Sequence, residues 1–238
     1  MPRTGRASTG GLCCHVLNRG NAQAQVFHDE DDYAQFVALM GRACERTPMR
    51  IRGWCLLPNH FHLVLWPRAD GDLAAWMQWL MTSHVRRHHR RYDTNGHVWQ
   101  GRFKSFPIQS RRVSARQRAM GVIEAGSPVL SVLRYVERNA LRANLVSRAE
   151  DWPWSSLSWV CGATEPPEWV SPSWLERPAG WLKHVNAAET AAELAAMRQS
   201  VCRGRPFGSD SWTNRIAVSL GLEHTLRPRG RPRKNAKK

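Results

Sequence analysis

The sequence lacks the marks of a membrane or secreted protein. No apolar run approaches the roughly 18 residues that a membrane-spanning helix needs. The first eleven residues are polar, contain two arginines and have no apolar core of the kind that a secretory signal requires. The six cysteines include no Cys-x-x-Cys pair, so they indicate scattered reduced thiols. These absences predict a soluble, cytoplasmic protein with no membrane partner.

Acidic residues are also scarce. The 238-residue chain has 35 Lys and Arg against 19 Asp and Glu, a formal net charge of +16. An excess of this size favours a polyanionic partner, and nucleic acid is the first candidate. Hydrophobic residues make up 42% of the chain and charged residues 23%, which excludes wholesale disorder. The length allows one domain with appendages or two small domains.

The positive charge is concentrated in two places. Residues Arg203 to Lys238 contain ten Lys or Arg and two acidic residues, so this tail carries +8, half of the whole excess. A second cluster, His84 to Arg91, ends a segment with helical spacing. Charge runs of this kind are often only solvated surface, and that alternative stays open.

The pattern of apolar residues predicts the order β-α-β-β-α-β-α. Apolar alternation and turn residues indicate strands, and apolar residues at helical spacing indicate helices. The first six elements match the ferredoxin-like split βαβ arrangement, an α+β fold in which an antiparallel sheet carries helices on one face. The predicted segments, in chain order, are Leu12–Leu17, Asp29–Arg46, Met49–Leu57, His60–Trp66, Asp72–Tyr92, Gly101–Gln109 and Pro128–Leu145.

The remaining segments predict an insertion and an extension. Residues 110–127 are arginine-rich and aperiodic, which indicates a loop or disordered insertion. Beyond the first domain, helices are predicted at Ala187–Arg198 and Ser211–Leu222. We therefore expect a domain over residues 1–157 and a basic C-terminal extension over residues 158–238.

A His-x-His pair is the main chemical feature. Alternate residues of a strand project to the same face, so His60 and His62 should present two imidazoles side by side, with Phe61 and Leu63 turned toward the core. Two neutral imidazoles form half of a divalent-metal site. Such a pair is also common as ordinary surface or core histidines, so the pattern alone leaves both interpretations open.

A tyrosine and an asparagine share one face of the last predicted helix. Tyr135 and Asn139 are four residues apart, hence one turn apart. Tyr135 is a candidate nucleophile and Asn139 a candidate oxygen ligand to a metal. From spacing alone, a tyrosine at the edge of the core and a capping or surface asparagine are the simpler interpretation.

Taken together, the motifs resemble a known family. The motifs that carry the resemblance are Leu57-Pro-Asn-His-Phe-His-Leu-Val64, Trp99-Gln-Gly-Arg-Phe-Lys-Ser-Phe106, Arg134-Tyr-Val-Glu-Arg-Asn139, Leu141-Arg-Ala143 and Trp152-Pro-Trp-Ser-Ser156. Their order is similar to that in the REP-associated tyrosine transposases, which belong to the HUH (His-hydrophobic-His) single-tyrosine transposases. The resemblance covers about Leu12 to Leu157.

This resemblance implies a ferredoxin-like fold and a metal-dependent DNA transposase. Such an enzyme cleaves and rejoins single-stranded, hairpin-bearing DNA through a 5′-phosphotyrosine. The resemblance makes Tyr135 the nucleophile, His60 and His62 metal ligands, Asn139 a third ligand, and Mg²⁺ or Mn²⁺ the metal. Imidazole ligands suit Mn²⁺ better than Mg²⁺. Both monomers and homodimers occur among related enzymes, and this sequence does not decide between them.

Several basic and aromatic residues are candidates for DNA contacts. Trp99 and Phe103 are interpreted either as stacking platforms for unpaired bases or as core residues. The candidate phosphate contacts near the catalytic centre are Arg86, Arg87, Arg90, Arg91, Arg102 and Lys104.

The C-terminal tail contains Pro228-Arg-Gly-Arg-Pro232, which has the form of an AT-hook. A flat Arg-Gly-Arg ribbon fits a narrow A·T-rich minor groove, so Arg229, Arg231 and Arg233 are candidate contacts to duplex DNA. A generic basic tail is the competing interpretation.

Two other functions compete with strand transfer. A domesticated protein that binds folded repeat DNA without cutting it would keep the basic surface and need no nucleophile. A metal-dependent phosphodiesterase would use water as the nucleophile and leave Tyr135 with a structural role.

Overall fold

The computed structural model describes residues 9–110, 127–170 and 177–227. Its centre is a four-stranded sheet in the order β2-β3-β1-β4, with every neighbouring pair antiparallel. The strands are β1 (Cys14–Arg19), β2 (Met49–Leu57), β3 (His60–Pro67) and β4 (Lys104–Pro107). This is the predicted ferredoxin-like arrangement, and the fold class is confirmed.

Two long helices cover one face of the sheet, called here the helical face. They are α1 (Glu30–Arg46) and α2 (Asp72–Tyr92). The Asp29 side chain accepts a hydrogen bond from the Asp32 backbone N–H, which caps α1 where the acidic run of the sequence predicts a start. The core beneath these helices is apolar and aromatic, and its largest fully buried members include Phe36, Trp54, Phe61 and Trp76.

Shorter helices cover the opposite face, called here the histidine face. They are α3 (Pro128–Glu137), α4 (Asn139–Arg142), α5 (Ser156–Val160), α6 (Trp181–Asn186) and α7 (Ala191–Arg203), and a further helix, α8 (Asp210–Ser219), follows them in the chain. Because both faces are covered, nearly every residue of β2 and β3 is buried. Gly53 of β2 shows how close the layers are, since a Cβ atom there would lie 2.7 Å from Leu133 Cδ2 of α3.

The last predicted helix of the domain is interrupted. The sequence predicts one helix over Pro128–Leu145, but α3 ends at Glu137 and α4 begins at Asn139, with Arg138 at φ −80° and ψ −4° between them. Backbone hydrogen bonds from Arg138 to Arg134 and from Arg142 to Arg138, both 2.9 Å, continue across the break. The distortion is therefore local.

The C-terminal helices also differ from the prediction. The sequence indicated a helix over Ala187–Arg198, whereas α7 spans Ala191–Arg203. A capping box between Thr190 and Glu193 fixes the start of α7. The carbonyl oxygens of Ala187 and Ala188 instead accept hydrogen bonds from Arg134. The short helix α6 was not predicted, and α8 begins one residue before the predicted start.

Both edges of the sheet are bridged by later parts of the chain. Outside β2, Cys55 bridges Ser155, and the Leu56 N–H donates to the Trp154 carbonyl at 2.9 Å. Beyond β4, Ile108 bridges Phe207, and the Phe207 N–H donates to the Pro107 carbonyl at 2.9 Å. β4 itself is shorter than the predicted Gly101–Gln109 strand.

Some predicted features lie outside the described residues. They are residues 111–126 of the predicted insertion and the whole AT-hook-like motif with Arg229, Arg231 and Arg233. In the described ranges, no helix combines the length and the apolar character needed to cross a membrane.

Candidate active site

The His-x-His pair lies where β3 meets the tyrosine helix. Phe61 and Leu63 belong to the core under α1 and α2, as predicted, whereas His62 faces the opposite side of the sheet. The ring centroids of His60 and His62 are 5.1 Å apart. Tyr135 packs its ring edge-to-face against His62, with centroids 5.8 Å apart. The sheet and α3 therefore bring together residues more than 70 positions apart in the sequence.

Both imidazoles are held in the neutral form. Burial, with Arg19 and Arg142 nearby, lowers the pKa of His60 to about 4. Burial also lowers the pKa of His62 well below its usual range, and the neighbouring His15 adds to the effect. A neutral imidazole keeps a lone pair for a metal ion, so this electrostatic environment favours ligation over protonation.

An asparagine next to the pair fixes the orientation of His60. The Asn59 Nδ2 donates to the Gln23 carbonyl at 3.1 Å, which turns its Oδ1 toward His60 Nδ1 at 2.6 Å. Because Oδ1 can only accept, His60 Nδ1 carries the proton and Nε2 keeps its lone pair. The side chain that follows Pro58 in the motif thus selects the tautomer that binds a metal.

A third histidine supports His62. His15 of β1 stacks on His62 with centroids 5.0 Å apart, and its Nε2 lies 2.9 Å from His62 Nδ1. His15 is fully buried, which lowers its pKa to about 3. If His62 binds a metal through Nε2, its Nδ1–H donates to His15 Nε2, the arrangement that orients many metal-bound histidines. The sequence interpretation missed His15 because it lies 45 residues before His60.

Asn139 is buried at the start of α4, one helical turn after Tyr135. It is 7% exposed, and its Nδ2 has no hydrogen-bond partner among the described residues. Because the fold does not engage this amide, its oxygen is available as a ligand. The described part of the chain contains no group of three or more His, Cys, Asp or Glu that could hold a metal ion. A metal here would therefore depend on two imidazoles, the Asn139 amide and oxygen ligands from a substrate.

Arg142 is a second residue that the sequence interpretation did not assign to the site. Its guanidinium lies 4.0 Å from the centre of the Tyr135 ring and donates to the Tyr135 carbonyl at 3.0 Å. Glu189 holds the other side of the guanidinium at 2.6 Å. Burial raises the pKa of Tyr135, and the positive charge of Arg142 opposes that rise. Burial therefore favours the neutral phenol in the free protein.

Arginines spaced by one helical turn attach the C-terminal extension to the tyrosine helix. Arg138 donates to the carbonyls of Val185 and Asn186, both at 2.7 Å. Arg134 and Arg142 contact Glu193 and Glu189. Residues 185–193 therefore form part of the wall behind Tyr135.

The predicted phosphate contacts fall into two groups. Arg87 pairs with Asp31 at 2.7 Å, and Arg91 pairs with Asp29, Asp31 and Asp32. These ion pairs engage two of the predicted cations within the fold. The other four, Arg86, Arg90, Arg102 and Lys104, are exposed. Trp99 and Phe103 are buried in the core of the helical face, 4% and 7% exposed, and so are not open stacking platforms.

The comparisons with known proteins bear on this arrangement. Residues 8–118 match the family model described as "Transposase IS200 like". A Haemophilus influenzae protein named "Putative REP-associated tyrosine transposase" is 25% identical over 134 residues, 52% of this chain and 67% of that protein. The predicted resemblance is confirmed.

A solved structure of a REP-associated tyrosine transposase bound to a REP hairpin is also similar. It has 18% identity and a TM-score of 0.49, over 74% of this chain and 98% of that chain. The IS200-like segment includes His15, Asn59, His60 and His62 but ends before Tyr135 and Asn139. The positions of the last two residues relative to the histidines come from the fold of this chain itself.

Proposed function

We propose that the protein is a metal-dependent DNA strand transferase that uses Tyr135 as its nucleophile on single-stranded, hairpin-bearing DNA. The observation that carries this proposal is the packing of Tyr135 against His62, with ring centroids 5.8 Å apart, on the face that also holds His15. The IS200-like match supports a transposase, and the relative's name supports a tyrosine enzyme.

The proposed cleavage step forms a bond between the Tyr135 oxygen and the scissile phosphorus. The phosphorus–O3′ bond breaks, the leaving strand gains the proton as a 3′ hydroxyl, and the 5′ phosphate stays on Tyr135. A neutral phenol is a weak nucleophile, and burial raises the pKa of Tyr135 further. Arg142 opposes this effect and supplies positive charge as the phenolate develops.

The residues present fit a divalent metal. His60 and His62 would bind it through Nε2 and Asn139 through its side-chain oxygen, with Asn59 and His15 holding the two rings. When bound, the metal would neutralise phosphate charge and orient the phosphorus for in-line attack. Two imidazole ligands favour Mn²⁺ over Mg²⁺.

Rejoining follows from the same intermediate. The phosphotyrosine bond keeps the free energy of the cleaved phosphodiester, so a 3′ hydroxyl can attack the phosphorus and release Tyr135 without ATP. The neutral phenol regenerated at Tyr135 is the stable form in this buried position. A single residue therefore serves both cutting and sealing.

The test is covalent capture of DNA. Hairpin DNA with a single-stranded flank, labelled at either end, is incubated with the full chain and Mn²⁺. We expect a denaturant-resistant protein–DNA adduct that Tyr135→Phe abolishes. Tyr92→Phe is the matched control, because Tyr92 ends α2 on the helical face, donates to Asp32 Oδ2 at 2.6 Å and packs against His28 and His88 instead of His62.

Two outcomes would overturn the proposal. Cleavage without an adduct, unchanged in Tyr135→Phe, would indicate a hydrolytic phosphodiesterase. Tight binding with neither cleavage nor adduct would indicate the domesticated DNA-binding protein.

The surrounding cations complete the proposed DNA interface. Arg86, Arg90, Arg102 and Lys104 are exposed and would contact phosphates of the unpaired strand. For Arg229, Arg231 and Arg233 we propose contacts in an A·T-rich minor groove. Truncation after Arg227 should then weaken DNA binding and lower its salt dependence. Unchanged affinity and salt slope would exclude a role of the tail in DNA binding.

A further inference from the structure

A cavity of about 750 Å³ opens on the helical face, away from Tyr135. It lies between α2 and the loop of residues 96–103. Its inner wall is apolar and includes Met77, Met81, Trp99 and Phe103, all buried or partly buried. Its volume falls within the roughly 300–1,000 Å³ of typical small-ligand sites.

The rim of the cavity is cationic. Arg86 and Arg102 line it, both are exposed, and neither forms an ion pair with a described residue. None of the described residues that line it is acidic. The neighbouring Arg87 and Arg91, in contrast, are held by the acidic residues of α1. Two exposed positive charges at the rim complement a phosphate group. The apolar and aromatic residues beneath them complement a flat, weakly polar ring joined to that phosphate.

The wall of the cavity is preformed. The Asn18 side chain donates to the Gly101 carbonyl at 3.0 Å, and the Gly101 N–H donates to the Trp99 carbonyl at 2.7 Å. Gly101 has φ +92°, which side chains with a Cβ rarely adopt. His89 closes the other end of the loop through the Gly96 carbonyl at 3.1 Å. A ligand would therefore meet an ordered wall.

The same loop is hydrogen-bonded to the strand end beside His60. The Gln100 N–H donates to the Arg19 carbonyl at 2.8 Å, and Gly20 bridges Trp99. Arg19 lies directly opposite His60 in the sheet. A DNA strand seated at the cavity can thus continue past the exposed Arg19 toward the histidines around the same edge of the fold.

We propose that this cavity holds one unpaired nucleotide of the bound DNA strand, its base in the apolar cavity against Met81, with the largely buried Trp99 and Phe103 forming the inner wall, and its phosphate on Arg86 and Arg102. The inference rests on the proposed function and adds a base-holding subsite on the face opposite Tyr135. Such a subsite fixes which nucleotide of the single-stranded flank lies at a given distance from the site of cutting.

The test combines base removal with cavity filling. Three hairpin DNAs are made, with an all-thymidine, an all-adenine or an all-cytosine flank. In each, a single abasic site is placed at one flank position after another. Loss of the one base held in the cavity should weaken binding by the full-length protein about 5- to 150-fold at a single position. Ala74→Trp, which fills the rim, should weaken binding of the intact DNA and remove that positional penalty. Ala75→Trp, one residue further along α2 and outside the cavity, is the matched control.

The phosphate contact is tested separately by salt dependence. Arg86→Gln and Arg102→Gln should each lower the salt slope of binding by roughly one counterion, to a larger extent than Arg50→Gln, an exposed residue of β2 outside the cavity. No position-specific penalty, or the same penalty in Ala74→Trp and Ala75→Trp, would overturn the proposal. Adduct formation at Tyr135 is scored in the same samples, so failure of the subsite is distinguished from failure of the chemistry.

Discussion

The two faces of the sheet bury different chemistry. Under α1 and α2, the core is almost entirely apolar and aromatic, and His84 is its main polar member. The histidine face buries polar and charged side chains beside its apolar cluster, namely those of His15, His62, Glu137 and Asn139. A stable fold needs only the first kind of packing. The second kind costs desolvation free energy, and such burial of polar groups is typical of a functional site, which supports the proposed placement of the chemistry on this face.

Glu137 is the sharpest case of this difference. Its carboxylate is fully buried, accepts from Arg177 and Trp181 Nε1 at 2.6 Å, and from Ser156 at 2.8 Å. We expect Glu137→Gln to lower the free energy of unfolding by about 3–5 kcal/mol, because Arg177 would keep a buried, uncompensated charge. Urea unfolding measures this effect. Asp210→Asn, at an exposed residue 3.8 Å from Arg205, is the control and should change stability by less than about 0.5 kcal/mol.

A similar loss in both variants would mean that burial of Glu137 has no special energetic role. If Glu137→Gln lowers the free energy of unfolding and also abolishes DNA binding, the structure of the histidine face depends on this carboxylate.

The burial of His84 on the helical face predicts how the stability of the protein depends on pH. It packs against Phe27, Phe36 and Trp99, and burial lowers its pKa to about 3. The unfolded chain therefore binds a proton below about pH 6.5 that the folded chain does not bind, so stability falls as pH falls. Between about pH 6.5 and 3, His84 should lower the free energy of unfolding by about 1.4 kcal/mol for each pH unit of acidification.

We expect His84→Phe to remove that part of the acid sensitivity while preserving the aromatic packing. Urea unfolding at several pH values measures it. An unchanged slope against pH would show that His84 is not the group that titrates. His15 and His62, buried on the other face, should keep the remainder of the acid dependence in this variant.

Asn59 tests the proposed control of the His60 tautomer. Asn59→Ala removes the acceptor of the His60 Nδ1–H, and loss of such a partner typically weakens metal binding 10- to 100-fold. The Mn²⁺ concentration needed for half-maximal adduct formation measures the effect. Asn95→Ala, at an exposed position, is the control. An unchanged metal requirement would exclude this role.

Arg142 gives the smallest expected effect. Because its charge opposes the raised pKa of Tyr135, Arg142→Gln should raise that pKa further. Loss of a cation over an aromatic ring is worth about 0.5–2 kcal/mol, equivalent to a roughly 2- to 30-fold slower adduct formation at neutral pH. The deficit should shrink at alkaline pH. A deficit that is the same at every pH would indicate that Arg142 only holds the helix in place.

Local patterns in the sequence predicted the helical face and much of the histidine face. Met49–Leu57 and Asp72–Tyr92 have the predicted bounds, because strand alternation and helical spacing depend on near neighbours. His60, His62 and Tyr135 were identified from motif resemblance. Their contact depends on how α3 packs on β3, which no local pattern contains.

The residues that were missed act over long sequence separations. His15 reaches His62 across the sheet, and Glu189 reaches Arg142 from the C-terminal extension. Before the delayed start of α7, the carbonyls of Ala187 and Ala188 likewise accept hydrogen bonds from the distant Arg134. A single sequence contains these residues but not their pairing.

The bridged edges of the sheet have a consequence for self-association. An exposed edge strand is a template on which a second copy can add its own strand. Here a copy approaching β2 meets the Trp154–Ser155 backbone, and one approaching the end of β4 meets Phe207. Continuous sheet extension between copies would first have to displace these segments. At these two places the later parts of the chain thus shield the sheet edges from strand-by-strand aggregation.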